Sequence, residues 1–190
     1  YKKIQGWFGS RELYRAVVRE FESGSRFVEI GAWKGQSTAF MTVEIINSGK
    51  QIEFNVVDTW KGSTDHHDVE SPSFDPYLAE HGNLFPLFKE NLSPVWKHIN
   101  AIQNTSVEAA KLFEDESLDF VYVDGAHDYE SVKEDIEAWY PKVGPNGMIA
   151  GDDYGWSGVE QAVKEALGEN FMVEANNNWI HSRKKDFSYD

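Results

Sequence analysis

Short apolar runs alternate along the chain with longer segments whose apolar residues recur at helical spacing. The runs are typical of buried strands and lie at 27–30, 53–57, 99–103, 120–123 and 148–150. The segments between them predict helices at 11–21, 37–47, 84–91, 107–113, 129–139 and 158–167. Strands that alternate with helices in this way indicate a parallel sheet with helices on its faces.

Two further strand-like pieces lie near the end of the sequence, at 171–174 and 179–181. Only a hairpin can join pieces this close, so they predict an antiparallel edge. The predicted fold is therefore α/β: a doubly wound, Rossmann-like, mostly parallel seven-stranded sheet with a C-terminal antiparallel hairpin, in a single domain over 1–190. The segment at about 60–97 exceeds an ordinary crossover, and we interpret it as a lid or as a surface loop packed on the domain.

Composition and charge narrow the class of protein. No apolar run approaches the roughly 20 residues that a membrane span needs. The net charge of −14 repels phosphate backbones, which argues against a nucleic-acid partner. The absence of cysteine excludes disulfides and thiolate chemistry and fits a reducing compartment, so we expect a cytoplasmic protein. The chain starts at Tyr1 without a methionine, which leaves a trimmed leader open.

The first strand leads into the sequence VEIGAWKGQST, a strand, a tight turn and the start of a helix. Gly31 and Gly35 allow the turn and a close approach of the helix. A dinucleotide fingerprint needs a middle glycine where this chain has Trp33, and Glu29 precedes the turn. A bulky ring and an acid suit a ligand with an ammonium and a sulfonium, so the pattern favours S-adenosylmethionine over a nicotinamide dinucleotide.

Polar residues at the ends of the next two strands are compatible with a nucleoside. Asp58 ends the second strand, where an acid can accept hydrogen bonds from ribose hydroxyls. A structural cap is the other interpretation, and nicotinamide folds share the same feature. Ser106 follows the third strand and is either a helix cap or a contact to an adenine edge.

Acids follow two neighbouring strands further along the chain. FVYVDGAHDY places Asp124 after the fourth strand, and the fifth ends at Asp152 and Asp153. Parallel strands deliver their carboxyl ends to one edge, so the three carboxylates should converge and repel one another. A divalent cation relieves that repulsion, and oxygen ligands suit magnesium, calcium or manganese. His127 could then take a proton from an acceptor hydroxyl; the alternative makes the acids caps and His127 an exposed loop residue.

Taken in order, VEIGAWKGQS, VVDTW, LDFVYVDGAHDY and GMIAGDDY resemble class I S-adenosylmethionine-dependent O-methyltransferases of the metal-dependent type. The sequence is similar to catechol O-methyltransferase and, more closely, to sugar O-methyltransferases of the macrocin O-methyltransferase group. Asp153 stands where catechol enzymes have asparagine and His127 where they have lysine, and both departures favour the sugar enzymes.

The resemblance implies roles for named residues. The general base falls on His127, and the metal ligands fall on Asp124, Asp152 and Asp153. The cofactor contacts fall on Glu29, Gly31, Trp33, Gly35, Ser37, Asp58, Thr59 and Ser106. Further candidates are Trp60, near the adenine, and the possible acceptor contacts His66, His67, Asp68, Tyr154 and Trp156.

The expected activity is transfer of a methyl group to a hydroxyl of a small molecule, a sugar or glycosylated metabolite, with magnesium favoured as the cation. A homo-oligomer is implied by the resemblance alone. Two other functions stay open at this point: a nicotinamide-dependent oxidoreductase and a non-catalytic nucleoside-binding domain.

Overall fold

A computed structural model of the chain describes residues 1–184. The strands are β1 (Arg26–Ile30), β2 (Glu53–Asp58), β3 (Asn100–Gln103), β4 (Leu118–Val123), β5 (Val143–Gly151), β6 (Met172–Val173) and β7 (Trp179–Ser182). The α-helices are α1 (Arg11–Glu20), α2 (Gln36–Ser48), α3 (Thr64–His67), α4 (Pro76–His81), α5 (Phe85–Asn91), α6 (Ser106–Ala110), α7 (Tyr129–Trp139) and α8 (Ser157–Leu167). Short 3-10 helices lie at Trp96–His98 and Tyr140–Lys142. Among residues 1–184, every helix is too short or too polar to span a bilayer.

The strands form one seven-stranded sheet in the order β3-β2-β1-β4-β5-β7-β6. Strands β1 to β5 pair in parallel, whereas β7 runs antiparallel to both β5 and β6. The predicted fold is therefore confirmed, including the hairpin at the edge. The order reverses between β1 and β4, and in such sheets ligands bind outside the carboxyl ends of the strands at that point.

Each face of the sheet buries its own core, because alternate strand residues point to opposite sides. Phe27 and Phe54 pack on one face with α1, α2 and part of the segment 60–97. Val28, Val121 and Ile149 pack on the other face with α6, α7 and α8. The three layers leave the carboxyl edge of the sheet to be covered by the loops that follow the strands.

The segment 60–97, hereafter the insertion, contains more helix than its sequence predicted. Only the helix near 84–91 was expected, and α3 and α4 were missed. Helix α4 begins with proline at position 76, and the side chain of Asp75 accepts a hydrogen bond from the N–H of Leu78 at 3.0 Å. Proline at the first helical position with an N-cap before it is a start signal, so an Asp-Pro pair could have revealed this helix. Whether the insertion is a lid stays a prediction.

Two elements differ from the prediction by three residues or more at one end. Strand β5 begins at Val143 because an irregularity in its pairing with β4 absorbs the Pro-Asn-Gly stretch, which resembles a turn in the sequence. Helix α6 ends at Ala110, because the N–H groups of Leu112 and Phe113 bond to carbonyls three residues back. These tight turns bury Phe113, whose ring centroid lies 5.4 Å from that of Trp139.

Candidate active site

Asp124 and Asp153, two of the three acids predicted to converge, lie close together at the carboxyl edge of the sheet. Strands β4 and β5 pair in register up to Val123 and Gly151, and the next residues are Asp124 and Asp152. One side-chain atom each of Asp124, His127 and Asp153 lie within 4.8 Å of one another. His127 Nε2 lies 2.9 Å from Asp153 Oδ2, so the imidazole and the carboxylate are hydrogen-bonded.

The set within 4.8 Å differs from the predicted trio of carboxylates, because His127 belongs to it and Asp152 does not. Asp152 Oδ1 instead accepts the N–H of Asp153 at 2.8 Å, which helps to hold Asp153 at a left-handed φ of 60°. Asp152 still borders the same narrow cavity as Asp124 and His127. We refer to Asp124, Asp152 and Asp153 together as the acidic rim.

Negative charge is concentrated strongly enough at this edge to shift the titration of its groups. Burial, then the charges of Asp152 and Asp153, raise the pKa of Asp124 well above its usual value. Burial also raises the pKa of Asp152. The hydrogen bond that His127 donates to Asp153 is the main cause that raises the pKa of His127. Each shift favours the protonated form of its group.

The loop between β1 and α2, residues 31–35, is the glycine loop. Gly31 has φ +84°, and a Cβ there would lie 1.9 Å from the carbonyl oxygen of Asp124. Only glycine fits this contact, which brings the glycine loop against the acidic rim. Gly35 has φ +90°, and a Cβ there would lie 3.0 Å from Cδ2 of Phe88, which belongs to the insertion.

Asp58, at the end of β2, binds two loops through its carboxylate. Oδ2 accepts the N–H groups of Ala32 and Trp33 at 2.8 Å, and Oδ1 accepts that of Trp60 at 2.6 Å. Both tryptophans have left-handed φ angles, 44° and 54°. Burial raises the pKa of Asp58, although these hydrogen bonds lower it. A role as loop anchor is therefore present in the structure, and a ribose contact would add to it.

Thr59 and Trp60, the two residues after Asp58, differ in their surroundings. Thr59 Oγ1 accepts the N–H of Lys61 at 3.2 Å. Trp60 is fully buried, and its ring centroid lies 4.7 Å from that of Phe85 and 4.8 Å from that of Phe88. Trp60 is thus a core residue in this structure rather than an exposed adenine platform.

Glu29 is buried within β1 and held by hydroxyl groups. Tyr14 donates to its Oε1 at 2.9 Å, and Ser37 and Thr38 also hydrogen-bond to the carboxylate. Burial raises the pKa of Glu29, and the hydrogen bonds oppose the shift only partly. Glu29 therefore adds a fixed acid behind the glycine loop, together with Ser37, which sequence analysis placed at the same site.

Ser106 is not the N-cap of α6; Thr105 has that role. The Ser106 hydroxyl accepts the indole N–H of Trp139 at 2.8 Å and hydrogen-bonds to Asp135. Asp135 is buried, and burial raises its pKa to about 6. Sequence analysis missed this acid, although it occupies a core-facing position of α7 together with Val132, Ile136 and Trp139.

The residues predicted to contact the acceptor lie in different surroundings. Trp156 is 59% exposed, and its ring centroid lies 5.5 Å from that of His127. Tyr154 packs against Phe171, with ring centroids 5.6 Å apart. His66 lies in α3, 5.6 Å from the ring of Trp33, while His67 and Asp68 are exposed. Trp156 is therefore an acceptor candidate that the structure places against His127.

Comparisons with known proteins agree with this arrangement. Residues 28–154 match the family model described as a methyltransferase domain. The uncharacterized protein y4gI of Sinorhizobium fredii is 29% identical over 124 residues, which are 65% of this chain and 12% of that protein. The chain thus spans about an eighth of the length of this curated relative.

Solved structures that share the fold include two O-methyltransferases. The O-methyltransferase NovP has a TM-score of 0.65 at 19% identity, covering 92% of this chain and 78% of its own. CalS11, the TDP-rhamnose 3′-O-methyltransferase of calicheamicin biosynthesis, has a TM-score of 0.58 at 14% identity, covering 91% of this chain and 77% of its own.

The matched family segment extends from β1 to the loop after β5 and so contains the glycine loop, Asp58 and the acidic rim. Its extent confirms the resemblance to class I S-adenosylmethionine-dependent methyltransferases that the sequence motifs indicate. The chain belongs to the methyltransferase domain family.

Proposed function

We propose that the protein transfers a methyl group from S-adenosylmethionine to a hydroxyl of a small molecule, a sugar or glycosylated metabolite. The observation that carries the proposal is the position of His127, hydrogen-bonded to Asp153 and beside Asp124, next to the glycine loop. Similarity to NovP and CalS11, both named as O-methyltransferases, supports oxygen as the methylated atom. The sugar class of acceptor rests on the sequence resemblance and on the name of CalS11.

The residues around the glycine loop fit a positively charged cofactor. Glu29, Asp58 and Asp124 interact electrostatically across this edge and create a negative potential. Such a potential favours the sulfonium and ammonium of S-adenosylmethionine and disfavours a pyrophosphate. When bound, S-adenosylmethionine supplies a methyl group on a positively charged sulfur. Asp58 and Ser106 would hold its nucleoside, and the glycine loop would hold its methionine end.

The acidic rim fits a divalent cation by its donors. Asp124, Asp152 and Asp153 are hard oxygen ligands, and they meet at one edge with raised pKa values for Asp124 and Asp152. We propose magnesium as the cation, with manganese and calcium as alternatives. Such a cation, when bound, would orient the acceptor hydroxyl and lower its pKa.

His127 is proposed as the general base. A neutral imidazole that donates its Nε2 proton to Asp153 keeps Nδ1 available to take the proton of the acceptor hydroxyl. The negative charge of Asp153 then stabilises the imidazolium that forms, as the raised pKa of His127 indicates. The acceptor oxygen would gain the methyl group as its proton moves to the imidazole, while the bond between the methyl carbon and sulfur would break and leave adenosylhomocysteine as a neutral thioether. With 42% of its side chain exposed, His127 is accessible to an acceptor.

The test measures cofactor binding and methyl transfer separately. Titration calorimetry with adenosylhomocysteine and with NAD should show binding of the first alone. Labelled S-adenosylmethionine, offered with nucleotide sugars, glycosides and catechol, should label a sugar acceptor in the presence of magnesium and much less after chelation with EDTA. Binding of NAD without adenosylhomocysteine would instead favour an oxidoreductase.

The matched variants are His127→Ala and His98→Ala. His98 is exposed at the amino end of β3, away from the carboxyl edge. We expect His127→Ala to lose turnover by about 100-fold or more while keeping its affinity for adenosylhomocysteine. His98→Ala should match the wild type. Unchanged turnover in His127→Ala removes the proposed base, and no transfer to any acceptor by the wild type favours a non-catalytic domain.

A further inference from the structure

The glycine loop contains a lysine whose charged end is buried in the protein. Lys34 is 5% exposed, and its Nζ lies 2.5 Å from Oδ2 of Asp75, which is 1% exposed. Burying two charges is costly unless each is well paired. This buried ion pair lies in the loop that faces the proposed cofactor. Its cost therefore suggests that the pair has a role in the structure of that loop.

Lys34 joins three separate parts of the chain. Its Nζ donates to Oε1 of Gln5 at 2.8 Å, in the N-terminal segment 1–10. Asp75, its ionic partner, is the N-cap of α4 in the insertion. The carbonyl oxygen of Lys34 accepts the side-chain amide of Asn91 from α5 at 2.9 Å. One residue thus holds the N-terminal segment and two helices of the insertion against the glycine loop.

Asp75 is itself held in place. Its Oδ1 accepts the N–H of Leu78, a residue with no exposed surface. Burial would raise the pKa of Asp75, but the hydrogen bonds from Lys34 and from the N–H of Leu78 lower it overall. The carboxylate is therefore charged at neutral pH and stays opposite the ammonium.

Trp33, the residue before Lys34, has a strained backbone conformation. Trp33 has φ 44°, a left-handed angle that costs a non-glycine residue free energy and persists only where its surroundings fix it. Lys34 Nζ lies 4.6 Å from the ring centroid of Trp33. The ring of Trp7, from the N-terminal segment, stacks on Trp33 with centroids 4.8 Å apart. The contacts of Lys34 and the conformation of Trp33 are thus parts of one cluster.

We propose that Lys34 is a positioning residue for the cofactor: its pairing with Asp75 and Gln5 holds Trp33 and the glycine loop in the conformation that binds S-adenosylmethionine. Cofactor affinity then depends on how the insertion and the N-terminal segment pack against the loop. This inference rests on the proposed function, since the glycine loop must be the cofactor site. A purely structural ion pair, by contrast, is replaceable by apolar residues of similar volume without loss.

The following variants distinguish a role of Lys34 in positioning the cofactor loop from a contribution to the stability of the fold. Asp75→Asn removes one charge, and the double variant Lys34→Met with Asp75→Leu replaces the buried pair by apolar side chains. Lys34→Arg keeps the cation as a conservative variant. Asp115→Asn is the control, because it breaks the ion pair between Lys142 and an Asp115 side chain that is 70% exposed, at 2.6 Å. Each protein is measured for unfolding temperature without ligand and for adenosylhomocysteine affinity by calorimetry.

We expect Asp75→Asn to lower the unfolding temperature and to weaken adenosylhomocysteine binding by about tenfold or more. The double variant should recover the unfolding temperature while its binding stays weaker by about tenfold, and Lys34→Arg should recover part of the affinity. Trypsin should cleave after the exposed Lys61 faster in Asp75→Asn than in the wild type, because the insertion is less firmly held. Asp115→Asn should behave as the wild type in every assay.

Recovery of wild-type affinity in the double variant would overturn the positioning role, because it would show that any well-packed pair suffices. Wild-type affinity in a folded Asp75→Asn variant would overturn it as well. If the wild type does not bind adenosylhomocysteine at all, the proposed function fails and takes this inference with it. If the wild type binds and the variants bind equally well, only the role of Lys34 is wrong.

Discussion

Replacing Gly31 by alanine tests whether contact between the glycine loop and the end of β4 holds the site together. An added Cβ would lie 1.9 Å from the carbonyl oxygen of Asp124 and 2.5 Å from its carbonyl carbon, at φ +84°. The left-handed angle costs alanine about 1–2 kcal/mol. Moving backbone out of the overlap costs about 1–3 kcal/mol more. We therefore expect the free energy of unfolding to fall by about 2–5 kcal/mol.

Gly24→Ala is the matched control, because Gly24 has φ +96° and no heavy atom within 4 Å of an added Cβ. It carries the conformational cost without the overlap, so the difference between the two variants isolates the contact with Asp124. In thermal unfolding we expect Gly31→Ala to melt about 2–12 °C below Gly24→Ala, since the overlap costs about 1–3 kcal/mol and each kcal/mol shifts a chain of this size by about 2–4 °C. Adenosylhomocysteine binding should be lost in Gly31→Ala alone. Equal melting temperatures would refute the argument from the contact.

Three further changes test other parts of the site. Asp58→Ala leaves three backbone N–H groups without their acceptor, so we expect a loss of about 2–4 kcal/mol in urea unfolding together with weaker adenosylhomocysteine binding; unchanged stability would contradict the anchor role. Burial raises the pKa of Asp135 from 3.8 to about 6, so the native state retains a proton that the unfolded state releases. This group therefore lowers the free energy of unfolding by up to about 3 kcal/mol as pH rises from about 4 to about 6, and Asp135→Asn should flatten that part of the pH profile. A slope identical to that of the wild type would show that Asp135 is not the titrating group. Trp156→Ala should raise the acceptor KM by about tenfold with little change in adenosylhomocysteine affinity, whereas an unchanged KM would place the acceptor elsewhere.

The sheet could be predicted because its central strands, β1, β2, β4 and β5, are buried on both faces over most of their length. Five apolar runs mark β1 to β5, and the three asparagines between the last two pieces mark the hairpin. The predicted elements were wrong where proline or glycine, which usually interrupt strands and helices, lie inside a strand or begin a helix. Pro145 and Gly147 resemble a turn but belong to β5, and Pro76 resembles a helix breaker but begins α4.

The part of the site that could be predicted consists of residues whose positions follow from the ends of the strands. Asp124 and Asp153 meet because parallel neighbours end at one edge. The side-chain partners were not predictable, because they depend on rotamers and on residues distant in sequence. Nothing in the local sequence shows that Ser106 contacts Trp139, or that Lys34 pairs with Asp75 across the insertion.

The turn between β6 and β7 has a practical consequence for anyone who labels this protein. Exposed hairpin turns are the usual places to insert an epitope tag or a fluorophore attachment site. Here, however, the carbonyl oxygen of Asn177 accepts the N–H of Tyr154 at 3.0 Å, and the Asn176 side chain donates to the carbonyl of Gly9 at 3.2 Å. A label placed in this turn would pull directly on the residues that follow Asp153, so a label belongs at another exposed position, such as Glu169.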